Sequence, residues 1–328
     1  MKPSLLVVFV LLLLPIFIQG CFANDAPEIV ITASATPATT PTVSPSLGDV
    51  SMRSSDGMRM VYVPAGEFMM GSDYIAAAFT RKLCKEYLGN NSSAVCNSTN
   101  FGDESPAHSV SLSGFWIDQT EVTNEQYQKC EQAGVCAPPV DSSSYTRPNY
   151  YGNPEFAEYP VIWVTWKQAN DYCTWAGGRL PTESEWEYAA RGPDNLTFPW
   201  GNTFDGTRLN YCDASCAAKP NDPNIDDGFP DTAPVGSFPT GNSWSNVYDM
   251  SGNVREWVED WYAPYPKDSQ FNPIGPATGN GRIPRGGSWM DLPVNVRSTN
   301  RGGNGGMLDY SRHKVGFRCA KSDAQLAP

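Results

Sequence analysis

His108 and His313 are the only histidines in this 328-residue chain, so one copy cannot surround a metal with three imidazoles. His108 falls in the alternating run His108-Ser-Val-Ser-Leu112 and reads as part of a strand. His313 stands in the loop-like stretch SRHKVG, where it either contacts a ligand or is simply solvated. The nine cysteines offer more chemistry. Setting aside Cys21, which follows an N-terminal apolar run, leaves an even set in which Cys84 and Cys96, Cys130 and Cys136, and Cys212 and Cys216 lie close enough for local pairs. Cys173 and Cys319 are then left for one long bridge, which contributes roughly 4–5 kcal/mol in the chain-entropy treatment. Metal ligation is the rival reading, but Cys-x3-Cys and Cys-x5-Cys are not the usual zinc spacings and no histidine stands beside them. Asp226-Asp227-Gly228 and Asp249 to Glu256 place carboxylates in turn-forming sequence. Such turns supply the oxygen ligands that calcium prefers, or are solvated acidic loops, and spacing does not choose between the two.

These residues have to be positioned by a mixed set of elements. Met60–Val63, Glu67–Met70, Val110–Leu112 and Phe115–Ile117 carry strand-like apolar patterns, the first two split by the turn signal Pro64-Ala65-Gly66. Thr123-x-x-Gln126, Thr165-x-x-Gln168 and Thr182-x-x-Glu185 each read as a helix-opening capping box, and Gly177-Gly178 and Gly192 as stops. On the second helix Ala169, Tyr172, Cys173 and Ala176 recur at helical spacing, which turns Cys173 toward a core. Beyond Gly192 regular structure thins out, and long irregular stretches need staples or ions to hold them. No internal repeat is evident.

Composition narrows the function. A net charge of −12 argues against binding nucleic acid through phosphate neutralisation. Abundant glycine, proline and aromatics with few charges favour a loop-rich globule over a helical bundle. Lys2, the apolar run Leu5–Phe17 and Gly20-Cys21 form an export signal, residues 1–20. Ile18-Gln19-Gly20-Cys21 resembles a bacterial lipobox, Gln19 departing from the usual small or aliphatic residue; the expectation is lipidation at Cys21, against an ordinary signal peptide cleaved near Cys21 or Ala23. Residues 21–54 include the uncharged Ser/Thr/Pro-rich stretch Ala33–Leu47 and read as a tether that holds the domain, 55–321, off a membrane surface, with 322–328 as a tail. No second spanning segment is present in the sequence.

The order of motifs then points to a family. PAGEFMMGS (Pro64–Ser72) and HSVSLSGFWIDQTEVTNEQY (His108–Tyr127) are followed by YPVIWVTWKQANDYCTWAGGRLPTESEWEYAARG (Tyr159–Gly192) and FPWGN (Phe198–Asn202). TAPVGSFP (Thr232–Pro239), VYDMSGNVREWVEDWY (Val247–Tyr262), RGGSW (Arg285–Trp289) and VGFRCA (Val315–Ala320) complete the series. From about Arg59 to Lys321 the chain resembles the formylglycine-generating enzyme, or sulfatase-modifying factor, family. The resemblance implies a single mixed α+β domain related to C-type lectins, poor in regular secondary structure and held by disulfides and calcium. It implies two structural calcium sites: Asn210, the Tyr211 carbonyl, Asp227 and the Phe229 carbonyl for one, and Asp249, the Gly252 carbonyl and Glu256 for the other, Asp249 standing where the family has Asn. It also implies that Cys173–Cys319 is a family disulfide.

The same resemblance exposes a loss. The oxidising members bind copper through two thiols just after Gly-Gly-Ser, and thiolates suit Cu(I). Here Asp291 takes the first thiol position, and no cysteine lies between Gly286 and Gly316. Ala190 and Ser298 replace the partners of a second family disulfide. No copper is therefore expected, no catalytic residue is assigned, and formylglycine-generating activity is not expected by the known mechanism. Nor can two histidines supply the iron triad of other members. The family's substrate groove corresponds here to Trp289, Asp291, Asn295, Arg297, Asn300, Arg301, Asn304, Asp309, Tyr310, Arg312 and His313, a mixture of flat anchors and directional polar groups that either recognises a ligand or is family scaffold. Asp291 and His313 have the chemistry for acid–base work, but no nucleophile or cofactor motif joins them. The expectation is a monomeric, exported, membrane-anchored binding module for a peptide, protein or glycan, as in displayed family lipoproteins. The alternatives are a protein-modifying oxidase with a non-thiol metal site, and a structural accessory of an envelope complex.

Overall fold

A computed structural model describes residues 44–88, 99–302 and 312–323. The export segment, Cys21 and the tether as far as Val43 lie outside the described residues, as do Cys96, Asn304, Asp309 and Tyr310. No helix among the described residues is long and apolar enough to cross a membrane.

Among the described residues, ten short strands and four helices carry the fold. Strands β1 (Val50–Met52), β2 (Arg59–Val63), β5 (Phe115–Asp118) and β10 (Ala320–Ser322) form one antiparallel sheet in the order β1-β2-β5-β10. In it Met60 opposes Asp118 and Val61 opposes Ile117. The order β3-β4-β7 makes a second sheet from β3 (Gly66–Met70), β4 (His108–Leu112) and β7 (Gln270–Phe271). A third has β6 (Arg255–Trp261) in the middle, antiparallel to β8 (Arg282–Arg285) and parallel to β9 (Val315–Gly316). The two-residue alternation of β4 places Val110 and Leu112 in the core, and β2 is buried on both faces from Met60 to Val63.

The capping boxes behave as the sequence implies. The Thr123, Thr165 and Thr182 hydroxyls accept the amides of Gln126, Gln168 and Glu185 in the first turn while those side chains reach back, opening α2 (Asn124–Gln132), α3 (Trp166–Trp175) and α4 (Glu183–Arg191). Ala169, Tyr172 and Cys173 face the core as predicted. Strands β6 to β10 fall in the half where regular structure was expected to thin out and were not anticipated; nor were two elements in the first half. Helix α1 (Tyr74–Leu88) lacks the Thr-x-x-Gln/Glu signature by which the others are recognised. Strand β1 lies inside the stretch assigned to the tether: its three residues are all exposed, so no apolar pattern marks it, and backbone pairing to β2 alone defines it. The folded body thus begins ahead of residue 55.

Three of the four expected disulfides lie within the described residues: Cys130–Cys136, Cys173–Cys319 and Cys212–Cys216, with Cα separations of 5.3, 5.5 and 5.0 Å. Cys173–Cys319 closes 146 residues and ties α3 to the entry of β10.

Helix α4 is buried on every side, including Glu183, Glu185, Glu187 and Arg191. It tolerates this because its charges are paired. Glu187 accepts from Arg285 at 2.6 Å, Arg191 at 3.0 Å and the Gly71 amide at 2.8 Å. Glu183 accepts from Arg285 at 2.9 Å and from Arg301 at 2.8 and 2.9 Å. Removing one member of such a set strands the others without a counter-charge. Glu187→Ala is therefore expected to lower the unfolding free energy by roughly 3–5 kcal/mol, read from denaturant midpoints. A loss under 1 kcal/mol would show that the pairs do not hold the helix.

Candidate functional site

The chain leaves β8 at Arg285, and Gly286 and Gly287 both take positive φ, 89° and 73°. A Cβ on Gly287 would meet the Asn295 carbonyl at 2.6 Å and Val296 at 2.7 Å, so only glycine allows this double turn to pack down. The turn delivers Ser288, Trp289 and Asp291 to one place. The Asp291 carboxylate accepts from the Ser288 hydroxyl at 2.6 Å and from Arg255 at 3.0 and 3.1 Å. Burial alone would raise this carboxyl, but Arg255, Lys314 and the Ser288 hydroxyl override it and hold it below the usual carboxylate range.

Around that pair lies an aromatic shelf. The Trp289 ring is 5.3 Å from Tyr145 and 5.8 Å from His313, and Tyr145 and Trp163 lie 5.1 and 5.7 Å from His313. Trp289 is buried, whereas Tyr145 is 50% exposed and presents a ring to solvent. Trp163 adopts a left-handed backbone, φ 59°, and donates its indole N–H to the Ser143 carbonyl at 2.9 Å. His313 Nε2 is buried without a hydrogen-bond partner. Burial first, then Lys314 and Arg312, depress its pKa, so the ring is held neutral.

The predicted groove residues divide. Trp289, Asp291 and His313 come together with Ser288 of the same turn and with Tyr145, Trp163 and Arg255, which the sequence did not single out; these last three enter from other segments and no local pattern marks them. Arg297 is buried in a two-pronged pair with Glu104 at 2.7 and 2.6 Å, and Arg301 in one with Glu183. Asn300 accepts from Arg255 at 3.3 Å, and half-buried Asn295 ends a short 3-10 turn, Pro293–Asn295. Arg297 and Arg301 therefore hold scaffold together. Asn304 and Tyr310 lie outside the described residues. His108 is buried on β4, its ring 5.1 Å from that of Tyr265.

The two calcium sets also differ from each other. Asn210 donates its amide to the Asp231 carbonyl at 2.9 Å, yet its Oδ1 is buried with no donor. Asp227 accepts the Phe229 amide and the Ser215 hydroxyl on Oδ1, while Oδ2 is buried with no donor. Burial, partly opposed by the Phe229 amide and aided by Asp213, pushes the Asp227 carboxyl up to about 7. Two orphaned buried oxygens are what a calcium ion would satisfy, and the first set fits. In the second set Glu256 already accepts from Arg318 at 2.6 and 2.7 Å and from the Trp186 indole at 2.8 Å, and Asp249 accepts the Gly236 amide at 2.6 Å. The buried carboxylate without donors there is Glu121, beside Asp249. As arranged, the second set does not fit. Among the described residues no three His, Cys, Asp or Glu side chains converge as a metal-binding group, so an ion at Asn210 and Asp227 has to draw on amide and carbonyl oxygens.

Residues 48–323 match the sulfatase-modifying factor enzyme 1-like domain. The chain belongs to the sulfatase-modifying factor family. It is 32% identical over 306 residues to the formylglycine-generating enzyme of Mus musculus, covering 80% of this chain and 74% of that protein. It is also 31% identical over 304 residues to the inactive C-alpha-formylglycine-generating enzyme 2 of Mus musculus, covering 80% and 85%. Among solved structures, that of PvdO from Pseudomonas aeruginosa superposes with a TM-score of 0.62 at 26% identity, covering 85% of this chain and all (100%) of that one. Sulfatase-modifying factor domains thus include proteins named as active and as inactive, and the residues around Asp291 have to decide which this one is.

Asp291 gives a pH signature. Its proton is held more weakly in the folded chain than in the unfolded one, so its stabilisation is complete above about pH 4 and fades as pH falls through the folded value. Asp291→Asn is expected to flatten the loss of stability below about pH 4, measured by denaturant titration along a pH series. Parallel acid limbs for the two proteins would contradict the Arg255 pairing.

Proposed function

We propose that this chain is an exported, lipid-anchored, calcium-stabilised binding module that recognises a peptide, protein or glycan on the Tyr145–Trp289 shelf. One observation carries the reading. At the family's first thiol position stands Asp291, whose carboxylate is already locked by Arg255 and Ser288. A hard carboxylate in an ion pair does not replace a soft thiolate pair for Cu(I). What remains is the recognition half of the site: the exposed Tyr145 ring over Trp289, and the unpartnered Nε2 of His313. Flat rings flanked by polar atoms suit the CH faces of side chains and sugars alike. The lipid anchor at Cys21 and the Ser/Thr/Pro-rich tether would hold this shelf away from the membrane, toward ligands outside the cell.

In this reading calcium is structural. Asn210 Oδ1, Asp227 Oδ2 and the carbonyls of Tyr211 and Phe229 would hold it, and the ion would supply the positive charge that cancels two buried, undonated oxygens. Excess chelator is expected to lower the melting temperature of the wild type and to leave Asp227→Ala unmoved. An unchanged wild-type melting temperature would refute the calcium assignment.

The binding role is tested by probing immobilised peptide and glycan libraries with wild type and Tyr145→Ala. A saturable ligand weakened about tenfold or more by Tyr145→Ala is expected, since aromatic anchors commonly contribute that much. Copper-loaded wild type and Asp291→Cys should both leave a cysteine-containing peptide unmodified by mass spectrometry. Aldehyde formed by the wild type would overturn the non-catalytic reading.

A further inference from the structure

Away from the Trp289 shelf, a cavity of about 480 Å³ opens between the end of β6 and the proline-rich loop that follows it. Trp261, Tyr265, Pro273 and Ile274 give it apolar walls, and Asp260 and Glu183 lie at its polar end. Ile274 is 70% exposed at the rim. The acids differ in one respect. Glu183 is paired with Arg285 and Arg301, Glu185 with Arg179, and Glu259 lies 3.8 Å from Arg179. Asp260, only 7% exposed, has no ion-pair partner among the described residues. Arg282, the nearest candidate, is clamped between the rings of Trp166 and Trp261 at 3.8 and 3.9 Å and donates to the Glu259 carbonyl.

Asp260 is partly explained as a helix cap, because its Oδ2 accepts the Glu183 amide at the start of α4 at 2.8 Å. Its Oδ1 is not explained. Gly275, at φ +68°, passes so close that a Cβ there would lie 3.0 Å from Oδ1. A residue with no side chain keeps that oxygen uncovered, at a backbone angle that disfavours any replacement. We propose that this cavity binds a primary alkylammonium group, a lysine side chain or a free alkylamine, with its stem along Ile274, Pro273 and Tyr265 and its charge at Asp260. A carboxylate without a counter-ion beside aromatic rings selects a cation, and apolar walls select one on a hydrocarbon stem. Arg301, the guanidinium in the lining, is turned to Glu183, and a lone carboxylate oxygen among prolines is a poor set for a metal.

Binding is coupled to a proton. Burial, with Glu183, Glu259 and Glu185 adding to it and the Glu183 amide opposing, pushes Asp260 up to about 8. His108 and the Tyr265 hydroxyl, also at this cavity, are turned to Pro106 and Glu183. The empty site is therefore protonated at neutral pH. The ammonium displaces that proton to water and pairs with the carboxylate, so affinity should rise with pH up to about 8 and then level.

This site is independent of the Trp289 shelf and is tested by itself. The purified chain is titrated calorimetrically with Nα-acetyl-lysine methylamide, with 1,5-diaminopentane, and with the Nε-acetylated lysine analogue, at pH 6.5 and 8.5. Saturable binding of an amine, about tenfold tighter at the higher pH and absent for the acetylated analogue, is expected. Preference for the lysine derivative would assign a peptide side chain, and preference for the diamine a free amine. Asp260→Asn keeps an acceptor for the Glu183 amide and should abolish binding without loss of melting temperature. Gly275→Ala, which leaves the carboxylate in place but covers it, should weaken binding as well. No saturable amine binding at pH 8.5, or equal binding by wild type and both variants, would overturn the assignment.

Discussion

The fold depends on carboxylates that have been taken out of water and then paired. Glu183 and Glu187 sit inside the protein on α4 and meet Arg285, Arg301 and Arg191. Each charge would be prohibitively costly there alone, and together they form a lattice in which every member fixes the next. Arg285 is the last residue of β8, and the Gly-Gly turn that presents Ser288, Trp289 and Asp291 begins at the next residue. Arg301 ends the same segment and returns to Glu183. The candidate site is therefore a loop pinned at both ends to one helix, with Arg297 and Glu104 as a third anchor between them. This is how a segment with little regular structure holds a defined shape.

Much of this was readable because some physics is local. A capping box is written in four adjacent residues, so Thr123, Thr165 and Thr182 announce their helices without help from the rest of the chain. Nearby cysteines announce their own closure, and Cys173 and Cys319 follow as the remaining pair. Helix α1 and strand β1 have no such local signature. The first has no capping box in sequence, and the second has no buried side chain to set a pattern.

The candidate site was readable by halves for the same reason. Trp289, Asp291 and His313 come from one stretch of sequence, but Tyr145, Trp163 and Arg255 reach them from elsewhere, and such long-range contacts leave no trace in periodicity. Arg297 and Arg301 look like ligand-binding residues in sequence because arginine beside asparagine and tryptophan is common in binding surfaces. Their carboxylate partners, Glu104 and Glu183, lie far away in the chain, and only folding shows that both guanidiniums are already paired. Asp260 is the converse case: one of two acids in VEDWY, distinguished only by the arginines that pair with its neighbours and leave it without one.

The replacement of a family thiol by Asp291 bears on how a catalytic scaffold can change its use. An isolated carboxylate introduced into that buried position would destabilise the fold, and burial does act to raise its pKa. Here Arg255, from the middle strand of the third sheet, and Ser288, from the turn itself, satisfy it. Arg255 also holds Asn300, so the new charge is tied to the far end of the same loop. On the proposed reading, the acid takes on a structural task at the position where the resemblance puts a thiol. The aromatic shelf needs only a rigid loop beneath it, and the Asp291–Arg255 pair supplies one. On the proposed reading, recognition without oxidation is a consistent end state for this site: a residue at the expected thiol position would serve, through Arg255 and Ser288, to hold the loop that carries Trp289.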